Sequence, residues 1–558
     1  MNGPWNSSVD VLVVGSGAGA LTAALKAATQ GASVLVVEKS PLWGGTSATS
    51  GGGIWIPNSH LAKAAGAEDS PAEAFDYVRA LSDPSVPDSL IQSYIRQAPL
   101  MLEWVEHNSP VRYLSIPYTD YHAELPGGKL GFRTHLPMPL DGRKLGQDVM
   151  TIRPVSPAAS LFGRINWSLE EAQPLLLRPP GWPKILLRML WRYYSDVGQR
   201  LRSRTDRFLT QGNALVGGLK MALNGRSAPV WLSAPLIELV RSGDRVVGAV
   251  VEHQGKPVRI EVRKGVILGA GGFERDASLR SQHLGQADPL KSGSQENNTG
   301  DALTAAIKIG AATRNLDHAW WAPVFSVPGE DRARPSFVER ALPGCIIVDS
   351  TGRRYLNEAA SYHVVGQAMA THGGGPSFVI FDEPFRRKYP MGALIPLAPL
   401  WLQPRGLRQI LKRAPTVEQL AEKIGISPAA LKATIDRFNV GARKGEDPEF
   451  HRGEPAYDRF FGDPRVQPNP NLAPLETGPY YAMPIFGGDI GTSGGLVTDE
   501  NAQVLDEAGH PIGGLYAIGN TAASVMGGSY PGAGSTIGPA MTFGFAAAKH
   551  ALGANSEI

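Results

Sequence analysis

The chain has one cysteine, Cys345, in 558 residues. A lone thiol cannot form an intrachain disulfide, and it cannot supply a cysteine zinc site or an iron–sulfur cluster. No metal site is expected, and a reducing compartment fits. No run of eighteen apolar residues occurs, so a membrane-spanning helix is not expected. Met1 to Ser8 hold no lysine or arginine before the first apolar run, so neither a secretory signal nor a transit peptide is expected. Blocks of five or more like charges are missing, and 54 Lys+Arg against 51 Asp+Glu leave a formal charge of +3. That is no electrostatic footprint for nucleic acid. A fixed-period repeat and a low-complexity linker are also lacking, which excludes a solenoid.

Glycine and proline, by contrast, are abundant at 65 and 45 residues. The glycines cluster near Gly15, Gly44, Gly51, Gly271, Gly494 and Gly527. Such clusters place bare backbone close to a ligand. Val11 to Val14 is a short β-branched run with glycines directly behind it, followed by the Ala/Leu-rich Ala20 to Gln30 and a second apolar run, Ser33 to Val37. This is the grammar of strand, turn, helix and parallel strand.

Further along, Leu236 to Val240, Arg245 to Glu252 and Pro257 to Arg263 read as an antiparallel meander, with Gly265 to Gly272 as another strand closing on the same ligand. From about Trp320 to Tyr480 the pattern changes. It holds a hairpin-like Cys345 to Tyr355, a strand-like Ser377 to Phe381, and helices at Val417 to Ile424 and Pro428 to Ala442, the latter capped by Ser427. Leu515 to Gly519 then returns to strand and glycine, and Thr536 to Leu552 reads as a closing helix. One fold is interrupted by a second and resumed.

Gly15-Ser16-Gly17-Ala18-Gly19-Ala20 satisfies G-x-G-x-x-G/A, with Glu38 about twenty residues on. Gly15 permits the turn, Gly17 lets N–H groups approach a pyrophosphate, Ala20 allows close helix packing, and Glu38 can accept from ribose hydroxyls. The following Gly44 to Gly53 stretch, rich in hydroxyls, can wrap a flat ring system or serve as a flexible connector.

With Gly269 to Glu274 and Gly514 to Asn520, these segments resemble the FAD-binding elements of the succinate dehydrogenase/fumarate reductase flavoprotein superfamily. The resemblance narrows at Tyr118-Thr119-Asp120-Tyr121-His122, at Arg354-Tyr355-Leu356-Asn357-Glu358 with Tyr362 beyond, at Asp489 to Leu496, and at Ser529-Tyr530-Pro531-Gly532-Ala533-Gly534-Ser535-Thr536-Ile537-Gly538. That combination is similar to the 3-ketosteroid Δ1-dehydrogenases.

The resemblance implies an α/β protein, with a doubly wound, Rossmann-like FAD-binding domain from 1–322 and 491–558 and an inserted α+β catalytic cap at 323–490. It implies non-covalent FAD at Gly15, Gly17, Ala18, Glu38, Lys39, Gly45, Thr46, Ser47, Ser50, Gly51, Gly52, Ala270, Gly271, Gly519, Asn520, Gly534, Thr536 and Ile537. It also implies that Tyr530 and the Gly534 N–H hold a 3-keto oxygen, that Tyr362 is the base, and that Tyr121 relays the proton. Met526 to Gly538 carries no arginine, lysine or histidine, which suits a neutral 3-ketosteroid better than a dicarboxylate. A Δ4-dehydrogenase, a fumarate-reductase-like enzyme and a flavin- or steroid-binding protein without turnover stay open as alternatives. Electrons are expected to leave to an external acceptor, quinone-like or other. His122 and His363 match no metal spacing and read as packing or solvent residues, Glu358 as structural, and Cys345 as core.

An insertion at about 130–207 is unusual for the family. Within it, 178–207 carries Arg178, Lys184, Arg188, Arg192, Arg200, Arg202, Arg204 and Arg207. Trp182, Ile185, Leu186, Met189, Leu190, Tyr193 and Val197 fall on one helical face. The segment reads equally as an interfacial helix on an anionic bilayer or as an extra helix packed on the body. The expected location is cytoplasmic, with peripheral contact at the inner membrane face.

Overall fold

The computed structural model describes residues 4–372 and 375–553. Val11, Leu12 and Val13 are fully buried in the Ser7–Val14 strand, because helices and loops cover both faces of its sheet. This strand pairs in parallel with Val34–Val37 on one side and Lys256–Leu268 on the other. Val230–Trp231 extends the sheet beyond Val34–Val37. Pro511–Ala517, from the far end of the chain, joins Lys256–Leu268 in parallel, with Gln503–Leu505 at the edge. The helices Ala18–Thr29 and Ile537–Ala551 bury one face, and Asp301–Ile307 with the meander strands buries the other. The result is a doubly wound, Rossmann-like α/β sheet assembled from both chain ends.

Pro257 to Arg263 and Gly265 to Gly272, expected as two strands, are one strand of 13 residues, Lys256–Leu268. Its first half pairs antiparallel with Arg245–His253, and its last residues pair in parallel with Leu515 to Ala517. Gly265 does not break it. The glycine is a packing residue, since a Cβ there would lie 2.8 Å from the Tyr516 ring.

The second sheet is antiparallel and takes its strands from 319–492. Two of them, Ala319–Phe325 and Tyr480–Thr492, run across the positions 322/323 and 490/491. The hairpin expected at Cys345 to Tyr355 does not form. Cys345–Val348 pairs instead with Ser377–Phe381. After a turn in which Asp349 N–H donates to Arg353 O at 2.9 Å, Arg354 draws the chain out of the sheet into a buried ion cluster. The helix Pro428–Lys444 starts at Ser427, whose hydroxyl accepts from Ala430 N–H.

A third, three-stranded sheet of Ile54–Trp55, Thr134–Pro137 and Tyr113–Ile116 lies beside the first. Residues 160–195 form a small outlying unit, with the hairpin Ser160–Leu161/Ile165–Asn166 and helices Leu169–Leu177 and Trp182–Ser195. Here the expected interfacial face is corrected. Met189 and Tyr193 are buried against Ile165, and Ile185 and Leu190 pack on them, because this face covers the unit's own hairpin. The opposite face exposes Leu187, Trp191 and Tyr194.

Cys345 is core, with its thiol pushed up to about 11 by burial. Glu358 accepts from Ile347 N–H at 3.0 Å and pairs with Arg354 and Arg452, all fully or almost fully buried. Burial alone would raise its carboxyl, but Arg354 and then Arg452 outweigh it and hold the group at about 2. A depressed carboxyl stabilises the folded state above its unfolded value, and that contribution is lost as pH falls. Glu358→Gln leaves the buried Arg452 with backbone carbonyls alone and Arg354 with Asp447 as its one carboxylate, and is expected to cost about 3–5 kcal/mol. Denaturant unfolding checks this. The gap from wild type should be full above pH 4.5, the ordinary value, and shrink toward pH 2.

Candidate active site

A cavity of about 460 Å³ lies where main-sheet strand ends, the third sheet and the second sheet meet. All the candidate residues named from the sequence line it.

At one end, Gly15 has φ +102°, and a Cβ there would overlap the Gly269 carbonyl oxygen. Only glycine fits that turn. Gly17 is the N-cap of helix Ala18–Thr29 and offers no side-chain cap, so the Gly19 and Ala20 N–H groups of the first turn are left for an anion. Ala18 N–H donates to Ser47 Oγ at 3.1 Å. Ala20 packs closely against the sheet, where a Cβ on Gly269 would lie 3.1 Å from the Ala20 methyl, and Gly19 adds a second close contact, where a Cβ would lie 2.6 Å from Ala540 O. Helix Ala18–Thr29 crosses helix Ile537–Ala551 at that point, and the motif's spacing alone does not say which residue faces the crossing.

Glu38 is buried, accepting from Ser16 Oγ at 2.5 Å and Ser40 N–H at 2.8 Å. Burial raises its carboxyl, and these hydrogen bonds oppose the rise. Lys39 Nζ bonds Thr299 Oγ1 at 2.5 Å and Asp301 at 2.7 Å. Gly45–Thr49 is a short helix rather than a loose connector, Ser50 is its C-cap, and Gly51 and Gly52 continue the wall. Ala270, Gly271, Gly519 and Asn520 close it from the main-sheet strand ends. Thr536 is the N-cap of helix Ile537–Ala551 and, like Gly17, makes no side-chain cap bond. Two helix N-termini without side-chain caps, a glycine turn and a carboxylate directly after the second strand fit a flavin dinucleotide.

The sequence reading passed over Gln295, Asn297, Asn298, Thr299 and Asp301, which line the same end. Their signal was Thr299-Gly300-Asp301 ahead of an Ala-rich run, a helix start in which Gly300 at φ +76° is the N-cap. Trp320 was missed as well. Its Nε1 donates to Asn520 Oδ1 at 3.1 Å, and its ring meets Tyr530 edge-on at 5.2 Å.

At the other end three tyrosines converge. Ring centroids are 5.5 Å apart for Tyr121 and Tyr362, 5.2 Å for Tyr362 and Tyr530, and 5.4 Å for Tyr121 and Tyr530. Tyr362 opens helix Tyr362–Thr371, capped by Ser361 and seated on the second sheet. Tyr530 is held by its loop, and Tyr121 N–H donates to Pro531 O at 2.9 Å. Burial raises all three phenols, and hydrogen bonds from Tyr362, Thr536 and the Gly534 amide oppose the rise at Tyr530. Gly534 has φ +102°, and a Cβ there would sit 2.5 Å from Ile54 backbone atoms. His363 is buried and neutral, its pKa lowered to about 4 by burial, with Nε2 2.8 Å from Gly528 O. His122 is partly exposed. Neither histidine lines the cavity.

A family model described as an FAD binding domain matches residues 10–537. The chain is 39% identical over 568 residues to a 3-oxosteroid 1-dehydrogenase of Mycolicibacterium smegmatis, covering 97% of this chain and 96% of that protein. It is 37% identical over 571 residues to a 4-oxocyclohexanecarboxylate 2-dehydrogenase of Sinomonas cyclohexanicum, covering 99% and 94%. The crystal structure of 3-ketosteroid delta1-dehydrogenase from Sterolibacterium denitrificans in complex with 1,4-androstadiene-3,17-dione superposes with a TM-score of 0.94 at 44% identity, covering 99% of this chain and 100% of that one.

Gly15→Ala is expected to weaken FAD binding tenfold or more, since left-handed strain of ~1–3 kcal/mol adds to the clash with Gly269. Flavin absorbance per protein after gel filtration measures it.

Proposed function

This chain belongs to the FAD-dependent 3-oxosteroid 1-dehydrogenases of the succinate dehydrogenase/fumarate reductase flavoprotein superfamily, and from that premise we propose how its own residues carry the reaction. The enzyme is an oxidoreductase that introduces the Δ1 double bond into 3-ketosteroids. The Tyr530 hydroxyl and the Gly534 N–H hold the 3-keto oxygen, and the observation that carries this is that both residues line the cavity with the Gly534 amide within hydrogen-bonding reach of the Tyr530 oxygen. Each such donor contributes about 3 kcal/mol to a developing oxyanion and so acidifies the neighbouring C2–H. Tyr362 takes the C2 proton, and Tyr121, packed edge-on against it, passes the proton on. Bound FAD supplies the acceptor for the hydride that leaves C1.

A neutral polycyclic ketone suits the lining. Its charged residues, Glu38, Lys39 and Asp301, lie together at the nucleotide end, and Lys39 is paired with Asp301 at 2.7 Å. Around the tyrosines the wall is Leu136, Pro335, Phe337, Ile490 and Ala533, with Phe337 edge-on to Tyr362 at 4.9 Å. A ring ketone bearing a carboxylate would find no cation there. No histidine or cysteine lines the cavity among the described residues, which favours FAD held without a covalent bond. With the single cysteine buried in the second-sheet core, electrons pass to an external acceptor.

No helix among the described residues is long and apolar enough to cross a membrane. We place the enzyme in the cytoplasm, docked at the inner membrane face through the outlying unit. Leu187, Trp191 and Tyr194 follow i, i+4, i+7 spacing with Trp191 76% exposed, and past the end of this helix Val197 and Leu201 are exposed as well. Lys184, Arg188, Arg202 and Arg204 are exposed beside them, a pairing suited to anionic lipid. Arg178 ties this unit to the Arg387 and Lys388 carbonyls of the segment leading to the exposed Trp401 and Leu402.

Tyr362→Phe is expected to keep FAD and steroid binding while anaerobic flavin bleaching slows by about 10²- to 10⁴-fold. Because burial and then Tyr530 hold the Tyr362 phenol above its ordinary 10, the phenolate fraction rises with pH, and wild-type bleaching should accelerate up to tenfold per unit between about pH 7 and 9. A flat profile would remove Tyr362 as the base. In sedimentation with phosphatidylglycerol vesicles, a Leu187→Ser/Trp191→Ser/Tyr194→Ser variant should stay in solution while the wild type pellets, with equal bleaching rates. Equal pelleting of both would end the docking assignment.

A further inference from the structure

We propose that Thr134 is a positioning residue for the reaction, turning the Gly534 N–H toward the substrate ketone by holding the Ala533 carbonyl away from it. This deepens the assignment of Tyr530 and Gly534 as the ketone's donors and rests on it.

In a trans peptide the carbonyl and the next N–H point to opposite sides of the chain. The 533–534 bond is trans, since the cis bonds among the described residues are Gln467–Pro468 and Gly478–Pro479. Fixing the direction of Ala533 C=O therefore fixes the direction of Gly534 N–H. Thr134 Oγ1 donates to that carbonyl at 3.0 Å.

The donor is well anchored. Thr134 is 1% exposed and lies in the middle of the third sheet, paired with Trp55 on one side and Ile116 on the other. Ala533, by contrast, sits between Gly532 and Gly534, the residue type with the least intrinsic resistance to a peptide rotation. The neighbouring carbonyls are held too. Pro531 O accepts from Tyr77 Oη at 2.7 Å and from Tyr121 N–H at 2.9 Å, and Gly532 O accepts from Ser535 Oγ at 2.7 Å. Those bonds place the loop as a whole. The Thr134 bond acts on the one peptide plane whose N–H faces the ketone.

Thr134 does not line the cavity. Its effect is therefore expected in the polarisation of the ketone rather than in the hold on steroid or FAD. Losing the aim of one oxyanion donor is expected to slow the chemical step by about 10- to 100-fold, somewhat less than deleting such a donor.

The test compares wild type, Thr134→Val, Thr134→Ser and Tyr530→Phe as FAD holoenzymes. Anaerobic bleaching by 4-androstene-3,17-dione gives the rate. Infrared difference spectra with the steroid unlabelled and ¹⁸O-labelled at C3 give the carbonyl stretch of the bound ligand, and melting temperature and flavin content report the fold. Thr134→Val is expected to bleach about 10- to 100-fold more slowly, with half-saturation changed less than threefold and the C3 carbonyl stretch moved toward its value in an apolar solvent. Thr134→Ser, which keeps the hydroxyl, is expected to restore both rate and stretch. A wild-type stretch in Thr134→Val, or equal impairment of the Ser and Val variants, would overturn the role of Thr134. If Tyr530→Phe also leaves the stretch unmoved, the ketone-donor assignment itself falls.

Discussion

Backbone-to-backbone contact at Gly534 is the constraint on which the site depends. The loop after Tyr530 presses against Ile54 and Trp55 so closely that a Cβ at Gly534 would sit 2.5 Å from main-chain atoms. Only that approach lets a peptide N–H, rather than a side chain, reach the cavity wall beside a phenol. The same economy governs the other end, where Gly15 meets Gly269 and Gly19 meets Ala540. Both ends of the cavity thus present bare backbone, at turns and a helix start pressed against neighbouring main chain.

Charge is distributed to suit that arrangement. The tyrosine end of the cavity is lined by phenols and apolar side chains, while buried ion pairs stand behind it as supports. Arg133 joins Asp69 and Asp120, and Asp120 accepts from Trp55 Nε1 at 2.7 Å, which fixes the strand under Gly534 and the turn that carries Tyr121. Arg280 pairs with Asp489 at 2.5 Å in the strand that leads to Ile490. Arg354, Glu358, Asp447 and Arg452 lock the second sheet. Buried ion pairs contribute modestly to stability, but they tolerate little displacement and so hold geometry. An unpaired cation beside the tyrosines would bind anions in place of a neutral ketone, and the lining has none there.

Much of this was legible in the chain. Glycine spacing between a β-branched run and an Ala-rich run specified the dinucleotide turn, because turn geometry and backbone approach are local requirements. The tyrosines were legible through the segments around them. Other features were hidden because they depend on what lies across the fold. Gly19 and Ala20 differ by one residue, and only the assembled fold shows that Gly19 meets helix Ile537–Ala551 while Ala20 meets the sheet at Gly269. The amphipathic face at 182–197 was visible, yet a hairpin about twenty residues earlier covers it and turns Leu187, Trp191 and Tyr194 outward. Trp320 and Thr134 carry no motif at all.

By itself the sequence determined the local chemistry: a glycine turn for a dinucleotide, a single thiol with no cluster to make, and a late segment, Met526 to Gly538, without cations, which suits a neutral ketone. Those are properties of residue type and short spacing. Tertiary structure decided which groups meet, since Thr134 and Ala533 lie 399 positions apart and Tyr77 and Pro531 lie 454 apart. A hydrogen bond across such a span depends on the packing of whole sheets, and no local pattern encodes it.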